Sequence, residues 1–286
     1  MLANGQLHGF VGFEMISAPR SFLQGDSAFS HALAVVQNGQ VTAGVVYLPA
    51  MDKLTRWPIL LQEIPARPAW LKALLNQLFQ PKPYTAWLCL RGVLAMGLML
   101  GQVGLVGAAL LFAMALLLLL RWRGAFNGGS DFMTLVGISG LLLSHLVGSF
   151  TDTTLGWQAG FWYISLQTVS SYFVSGWVKL LRAEWRSGRA LPMFLDTGVY
   201  GPLPSRSIYR NRWVAWVCSW SFTLWEGLFP LALLDLRLAM IWCTGAALFH
   251  FLVFWFLGLN RFFWAWVSSF PAVLYCASMT PYVLKS

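Results

Sequence analysis

From residue 84 onward the chain is written in apolar runs of about 20 residues, the length that crosses a bilayer, separated by short polar breaks and one long polar stretch, Arg182–Arg212, with six arginines and several Gly and Pro. The first run, Tyr84 to Trp122, is longer than one span requires, and Gly101-Gln102-Val103-Gly104 divides it into two tightly connected helices. A third span follows Asn127-Gly128-Gly129-Ser130-Asp131 and ends near Phe150, and a fourth runs from Ala159 to Leu181. Trp213–Leu234 and Arg237–Leu257 give a fifth and a sixth, joined at Asp235-Leu236. Arg261–Tyr282 is rich in Trp and Phe and broken by Pro271, so it reads as a seventh span or as a tilted helix at the interface.

Before residue 84 the pattern changes. Phe29 to Tyr47 alternates on the short period of strands, with Asn38-Gly39 between two β-branched runs, and Asn-Gly is the residue pair that a two-residue hairpin turn requires. Prolines mark residues 59–83 as a linker, inside which Ala69–Gln80 has helical spacing, with Trp70, Leu71, Leu74, Leu75, Leu78 and Phe79 on one side. The predicted architecture is an all-α polytopic membrane helical bundle of six to seven spans with a small N-terminal β-hairpin segment. Its parts are 1–58 (hairpin segment), 59–83 (linker with an amphipathic interfacial helix) and 84–282 (transmembrane domain).

Composition agrees: 58% of the residues are hydrophobic and 10% charged, well to the apolar side of a soluble domain. The net charge of +9 has its meaning in the loops. With the N-terminus inside, Arg121, Arg123, Arg182, Arg186, Arg189, Arg206, Arg210, Arg212 and Arg261 are all cytoplasmic, and the outer loops keep little beyond Arg237 and Lys285. No basic run interleaved with stacking aromatics stands outside the apolar segments, which argues against a nucleic-acid partner. The expected partners are the lipid bilayer and another membrane protein or a second copy of the chain. Cys89, Cys218, Cys243 and Cys276 lie in apolar segments without C-x-x-C spacing, so they read as small core residues rather than a disulfide framework or metal site. The N-terminus lacks a charged region before an apolar run, so no cleavable signal is predicted.

Chemistry is expected where an ionisable group stands in an apolar run. Lys179 is the clearest case, about two turns past Tyr172, where an ammonium group is costly unless it reaches water or an anion. The alternative is a helix-end lysine that snorkels to the headgroups. Arg91 lies within the first span, where it is either functional or shares an interface with Lys82; Glu226 and His250 are the buried ionisable groups of the fifth and sixth. His145 in the third span reads as a hydrogen-bonded core residue.

Two resemblances follow from motifs. Arg20–Asp52, R-S-F-L-Q-G-D-S-A-F-S-H-A-L-A-V-V-Q-N-G-Q-V-T-A-G-V-V-Y-L-P-A-M-D, resembles the segment after the metal-binding D-P-x-D-G-T motif of the inositol monophosphatase and bisphosphate nucleotidase family. The aligned positions here are Glu14, Met15, Ile16, Ser17, Ala18 and Pro19, so the carboxylate set that would bridge magnesium is dismantled. The segment therefore reads as a fusion remnant or a truncated gene model without phosphatase chemistry. Over Tyr84–Ala277, the series N-G-G-S-D, Y-F-V-S-G-W-V-K-L, E-W-R-S-G-R-A-L, then F-H and G-L-N-R-F-F-W-A-W-V-S-S-F-P looks like the membrane domain of the vitamin K-dependent gamma-carboxylase family, called HTTM in bacterial homologues.

That resemblance, through its bacterial homologues, implies a bacterial inner-membrane protein, whose N-terminus the loop arginines place in the cytoplasm. It makes Lys179, the second lysine position of Y-F-x-x-G-x-K-K-L, the base; Val178 takes the place of the first. Lys179 and His250 are then the expected catalytic residues, and Arg91, Tyr172, Trp185 and Glu226 the residues expected to bind the cofactor, a quinone. The family's histidine-bearing N-H-Y-W-like region is here F-T-D-T-T-L-G-W-Q, and no large soluble domain follows the spans. Two functional classes are thus expected: an HTTM-type protein without established catalysis, acting in assembly or maturation or as a partner of another membrane protein, and a quinone-using carboxylase-like or oxidoreductase membrane enzyme with Lys179 as base.

Overall fold

The computed structural model describes residues 68–121, 128–196 and 202–283, and before them only the backbone of short strands. Of those strands, Leu33–Gln37 (β3) and Gln40–Gly44 (β4) run antiparallel with Gln37 opposite Gln40, and Ser17–Pro19 (β1) pairs with Phe29–His31 (β2). The rest of the expected 1–58 segment, and its fold as a unit, lie outside the described residues, as do residues 59–67 of the linker.

Everything described after residue 68 is helix and connecting turns. The helices are α1 Ala69–Leu78, α2 Pro81–Met99, α3 Leu105–Arg121, α4 Gly128–Phe150, α5 Thr153–Leu181, α6 Ala183–Arg186, α7 Ala190–Leu195, α8 Arg212–Gly227, α9 Leu236–Leu257, α10 Asn260–Val267 and α11 Phe270–Val283. Single 3-10 turns occupy Ile208–Arg210 and Phe229–Leu233. Among the described residues, three stretches are long and apolar enough to cross a membrane: Gly129–Phe150, Leu236–Leu257 and the run Asn260–Thr280. Leu105–Arg121 is apolar but shorter. The protein is a helical membrane protein.

The expected break between the first two spans is present: α2 ends before Gly101, whose φ of 67° is the left-handed conformation that glycine reaches without a side-chain clash. Two boundaries differ from the sequence reading. The fifth apolar run is not one α-helix to Leu234; α8 stops at Gly227 and the chain goes on as a 3-10 turn, because Pro230 has no N–H for a continuing α-helical bond. In the last run the break falls at Ser268-Ser269 rather than at Pro271, which sits in the first turn of α11, where a missing N–H costs nothing.

The helices divide into two compact units, one over 46–160 and the other over 161–286, so the boundary falls inside the expected 84–282 domain and inside α5. In the first unit Leu75 of α1 and Phe79 just beyond it pack with Trp87 of α2 and Met114 of α3. The Arg121 guanidinium lies 5.8 Å from the Tyr84 ring centroid. On α1, Trp70 and Leu74 are exposed while Leu75 and Phe79 are buried, so the apolar side expected there is shared between outward and inward faces. Further on, α4 meets the start of α5 through small residues: a Cβ on Gly160 would stand 2.5 Å from the Gly140 carbonyl oxygen, and Gly156 lies against Ser144 and Gly148. Such contacts let membrane helices approach backbone to backbone.

In the second unit α9 packs on the Phe229–Leu233 turn, on α10 and on α11. Small residues on these elements are buried: Ala232, Ala239, Ala246, Ala272, Cys276 and Ala277. The helix ends are capped by side chains and backbone. Asn211 Oδ1 accepts from Trp213 N at 2.9 Å at the start of α8, Asp235 Oδ1 accepts from Arg237 N at 2.7 Å at the start of α9, and Gly258, with φ 71°, closes α9. Cys243 and Cys276 are buried as expected, whereas Cys89 is exposed and Cys218 half-buried. Both belong to helices whose outer faces are apolar, so a small thiol there meets the same surroundings as Val93 or Val217.

Candidate functional site

The site lies wholly within the second unit and is built from α5, α8 and α9. On α5, Tyr172 and Lys179 are seven residues apart and so share a face of the helix. One turn before the lysine, Ser175 Oγ accepts a hydrogen bond from Lys179 Nζ at 2.8 Å. Between them Gly176 brings α5 against the end of α8: a Cβ there would stand 2.6 Å from Gly227 Cα and 2.9 Å from the Glu226 carbonyl carbon. That approach sets the Glu226 carboxylate against Lys179, and the two form an ion pair and hydrogen bond. The Lys179 side chain is 14% exposed and that of Glu226 2%. Trp185, just past the end of α5, covers the ammonium group, with Nζ 5.2 Å from its ring centroid.

A second pair stands beside the first. The Tyr172 hydroxyl and His250 Nε2 are 2.5 Å apart, and both residues are buried. The Tyr172 ring stacks on Phe229 at a centroid distance of 4.1 Å, and the His250 ring stacks on Trp266 at 4.9 Å, with Phe249 and Phe262 at 5.1 and 4.9 Å. His250 Nδ1 and Trp266 Nε1 are buried and have no hydrogen-bond partner among the described residues. Such orphaned polar atoms are uncommon in a protein interior.

The structure thus brings together five of the six residues singled out in the sequence: Lys179, Glu226, Trp185, Tyr172 and His250. Arg91 is half-buried on α2 and belongs to the first unit, with His145, whose ring meets Trp157 edge-on at 5.7 Å. Lys179 does not snorkel outward, because its anion is supplied from within the protein. Sequence reasoning missed the pairing of Lys179 with Glu226, and it missed Ser175, Gly176, Phe229 and Trp266 as parts of the site. The small-residue step Ser175-Gly176 before the lysine, and Glu226-Gly227 at a helix end, were the available signals. No family model, curated protein or solved structure matches the chain.

Proposed function

We propose that this chain is a multi-pass membrane protein of the HTTM type whose second unit carries an acid–base site of the carboxylase-like or oxidoreductase kind, with Lys179 as its base. The observation that carries the reading is the buried Lys179–Glu226 pair beside the Tyr172–His250 pair. Four proton-bearing side chains from three helices are gathered where each alone would be costly, and such gatherings mark places where protons are exchanged. The ammonium–carboxylate and amine–acid forms of the first pair differ by one proton moved along one hydrogen bond. Glu226 then stores the proton that Lys179 must give up before it can act, Ser175 and Trp185 hold the amine in place, and the Tyr172–His250 pair orients what binds next to it.

A quinone, the cofactor the resemblance implies, would be held through its oxygens by the unpartnered His250 Nδ1 and Trp266 Nε1; the stacked faces of Phe229 and Trp266 are already taken by Tyr172 and His250, so they offer its ring no stacking surface. When bound, such a group in its reduced form supplies the acidic hydroxyl. This reading also makes spans of α2, α3, α5 and α8, for six to seven in all. It puts the N-terminus on the cytoplasmic side of a bacterial inner membrane and makes residues 1–58 a hairpin segment left from a phosphatase-like ancestor.

The second reading, an assembly or maturation factor that binds another membrane protein or its own copy, is favoured by the outward aromatic surface of Trp213, Trp216, Trp255 and Trp264. Complementation of a deletion strain separates the two. Arginine at 179 keeps the charge and the pair with Glu226 but holds its proton at any working pH. The enzyme reading expects Lys179→Arg to fail as completely as Lys179→Ala. Full rescue by Lys179→Arg with failure of Lys179→Ala defeats it and leaves the partner reading.

A further inference from the structure

Residues 182–211 join α5 to α8, and their described parts, 182–196 and 202–211, form a cap on the start of α8. Both α6 and α7 pack against α8, as does the Ile208–Arg210 turn. The Gly188 backbone, at φ 78°, lies against Trp216, and Trp220 Nε1 donates to the Arg186 carbonyl at 3.1 Å. Asp196 and Arg210 lock the two halves of the connection together. Arg210 donates to both Asp196 oxygens, at 2.7 and 3.2 Å, and to the carbonyls of Leu203 and Pro204, while Asp196 Oδ1 accepts from Leu203 N at 2.9 Å.

The latch consumes one acidic group and one arginine. Arg182, Arg186, Arg189, Arg206 and Arg212 are exposed around it, and among the described residues of the segment only Glu184 opposes them. Between these arginines stand large apolar side chains that also face outward: Met193, Phe194, Ile208 and Trp213. The Arg212 guanidinium lies 5.3 Å from the Trp213 ring centroid, and Trp216 and Trp220 continue the aromatic row along α8. A surface facing only water has no use for those apolar groups, and one facing only lipid tails has none for the charges. Guanidinium groups beside tryptophan and aliphatic side chains match the headgroup layer, where phosphates take paired N–H donors and the ring bodies rest on the acyl boundary.

We propose that this cap is a docking surface for anionic phospholipid headgroups. The backbone that carries the arginines is tied together by the Asp196–Arg210 contacts, and selectivity for anionic over zwitterionic lipid follows from their excess charge. The arginines of this surface are distinct from the acid–base residues, although Trp185 of the same α6 rests against Lys179.

The test uses the full chain in nanodiscs of phosphatidylcholine with and without phosphatidylglycerol, with thermal unfolding and native mass spectrometry of retained lipid as readouts. Wild type is expected to gain thermal stability with phosphatidylglycerol and to retain it in preference to phosphatidylcholine, the preference weakening as salt rises. The triple variant Arg182→Gln/Arg189→Gln/Arg206→Gln is expected to lose that preference by about tenfold or more while unfolding as wild type does in pure phosphatidylcholine. Should the triple variant fail to fold, the wild type's lipid preference and its salt dependence still decide the matter. Equal preference in wild type and variant overturns the proposal, as does a wild type indifferent to phosphatidylglycerol. Stabilisation reproduced by inorganic phosphate in phosphatidylcholine nanodiscs also overturns it, in favour of a free-anion site.

Discussion

Lys179 and Glu226, 47 positions apart in the chain, form one buried ion pair between α5 and α8. The pair has a definite energetic consequence. Each partner makes the other tolerable in a low-dielectric interior, so removing one leaves an uncompensated charge. Lys179→Met is expected to destabilise the protein by about 3–5 kcal/mol, whereas Lys179→Met/Glu226→Leu should recover most of that loss. Chemical or thermal unfolding in detergent measures both. A double variant that folds well but does not complement would assign the pair to chemistry; one that complements would reduce it to a structural strut.

Gly176 is expected to matter although it carries no chemistry. An alanine there must push α8 away from α5, because the nearest atoms are the Gly227 backbone and the Glu226 carbonyl carbon rather than a movable side chain. Overpacking of this kind costs about 1–3 kcal/mol, and it would also lengthen the Lys179–Glu226 contact. Gly227→Ala makes the comparison: nothing stands within 4 Å of a Cβ on Gly227, so it should be near neutral. Unfolding midpoints of the two variants should therefore differ although both add the same methyl group.

Much of this site was legible in the sequence, and the rest was illegible for a physical reason. An ionisable residue in an apolar run is visible because water-to-lipid transfer makes it improbable without cause, and that alone found Lys179, Glu226 and His250. Their pairing could not be read, since helix packing chooses which faces meet and periodicity gives no partner. The same holds for Phe229, whose turn comes from Pro230 but whose stacking on Tyr172 is a tertiary fact. Helix ends were legible where glycine marks them, as at Gly101 and Gly258, and misplaced where proline was taken as the break instead of as a first-turn residue, as at Pro271.

Tyr172→Phe keeps the ring that stacks on Phe229 and removes only the hydroxyl. His250 Nε2 then loses its partner in a ring whose Nδ1 already has none among the described residues, which should cost about 1–3 kcal/mol. His250→Phe in the same background removes the orphaned nitrogens and should restore stability toward wild type. A double-mutant cycle by unfolding measures the coupling, and a coupling near zero would mean that the hydroxyl and the imidazole are not partners in the folded protein.

Asp196 and Arg210 offer a test of local rather than global order. Both side chains are about one-third exposed, so the salt bridge itself contributes little to overall stability. Its geometric role is larger, because Arg210 also ties down the Leu203 and Pro204 carbonyls. Arg210→Lys keeps the charge but cannot make the paired contact to both Asp196 oxygens and the two carbonyls at once. We expect it to change global stability by less than about 1 kcal/mol while raising hydrogen exchange at least several-fold in the backbone around Leu203 and Arg210. Exchange in α9 should stay unchanged, since its cap at Asp235 and its packing on α10 and α11 do not involve the latch. A uniform rise across α8 and α9 would instead make the latch a support for the whole second unit.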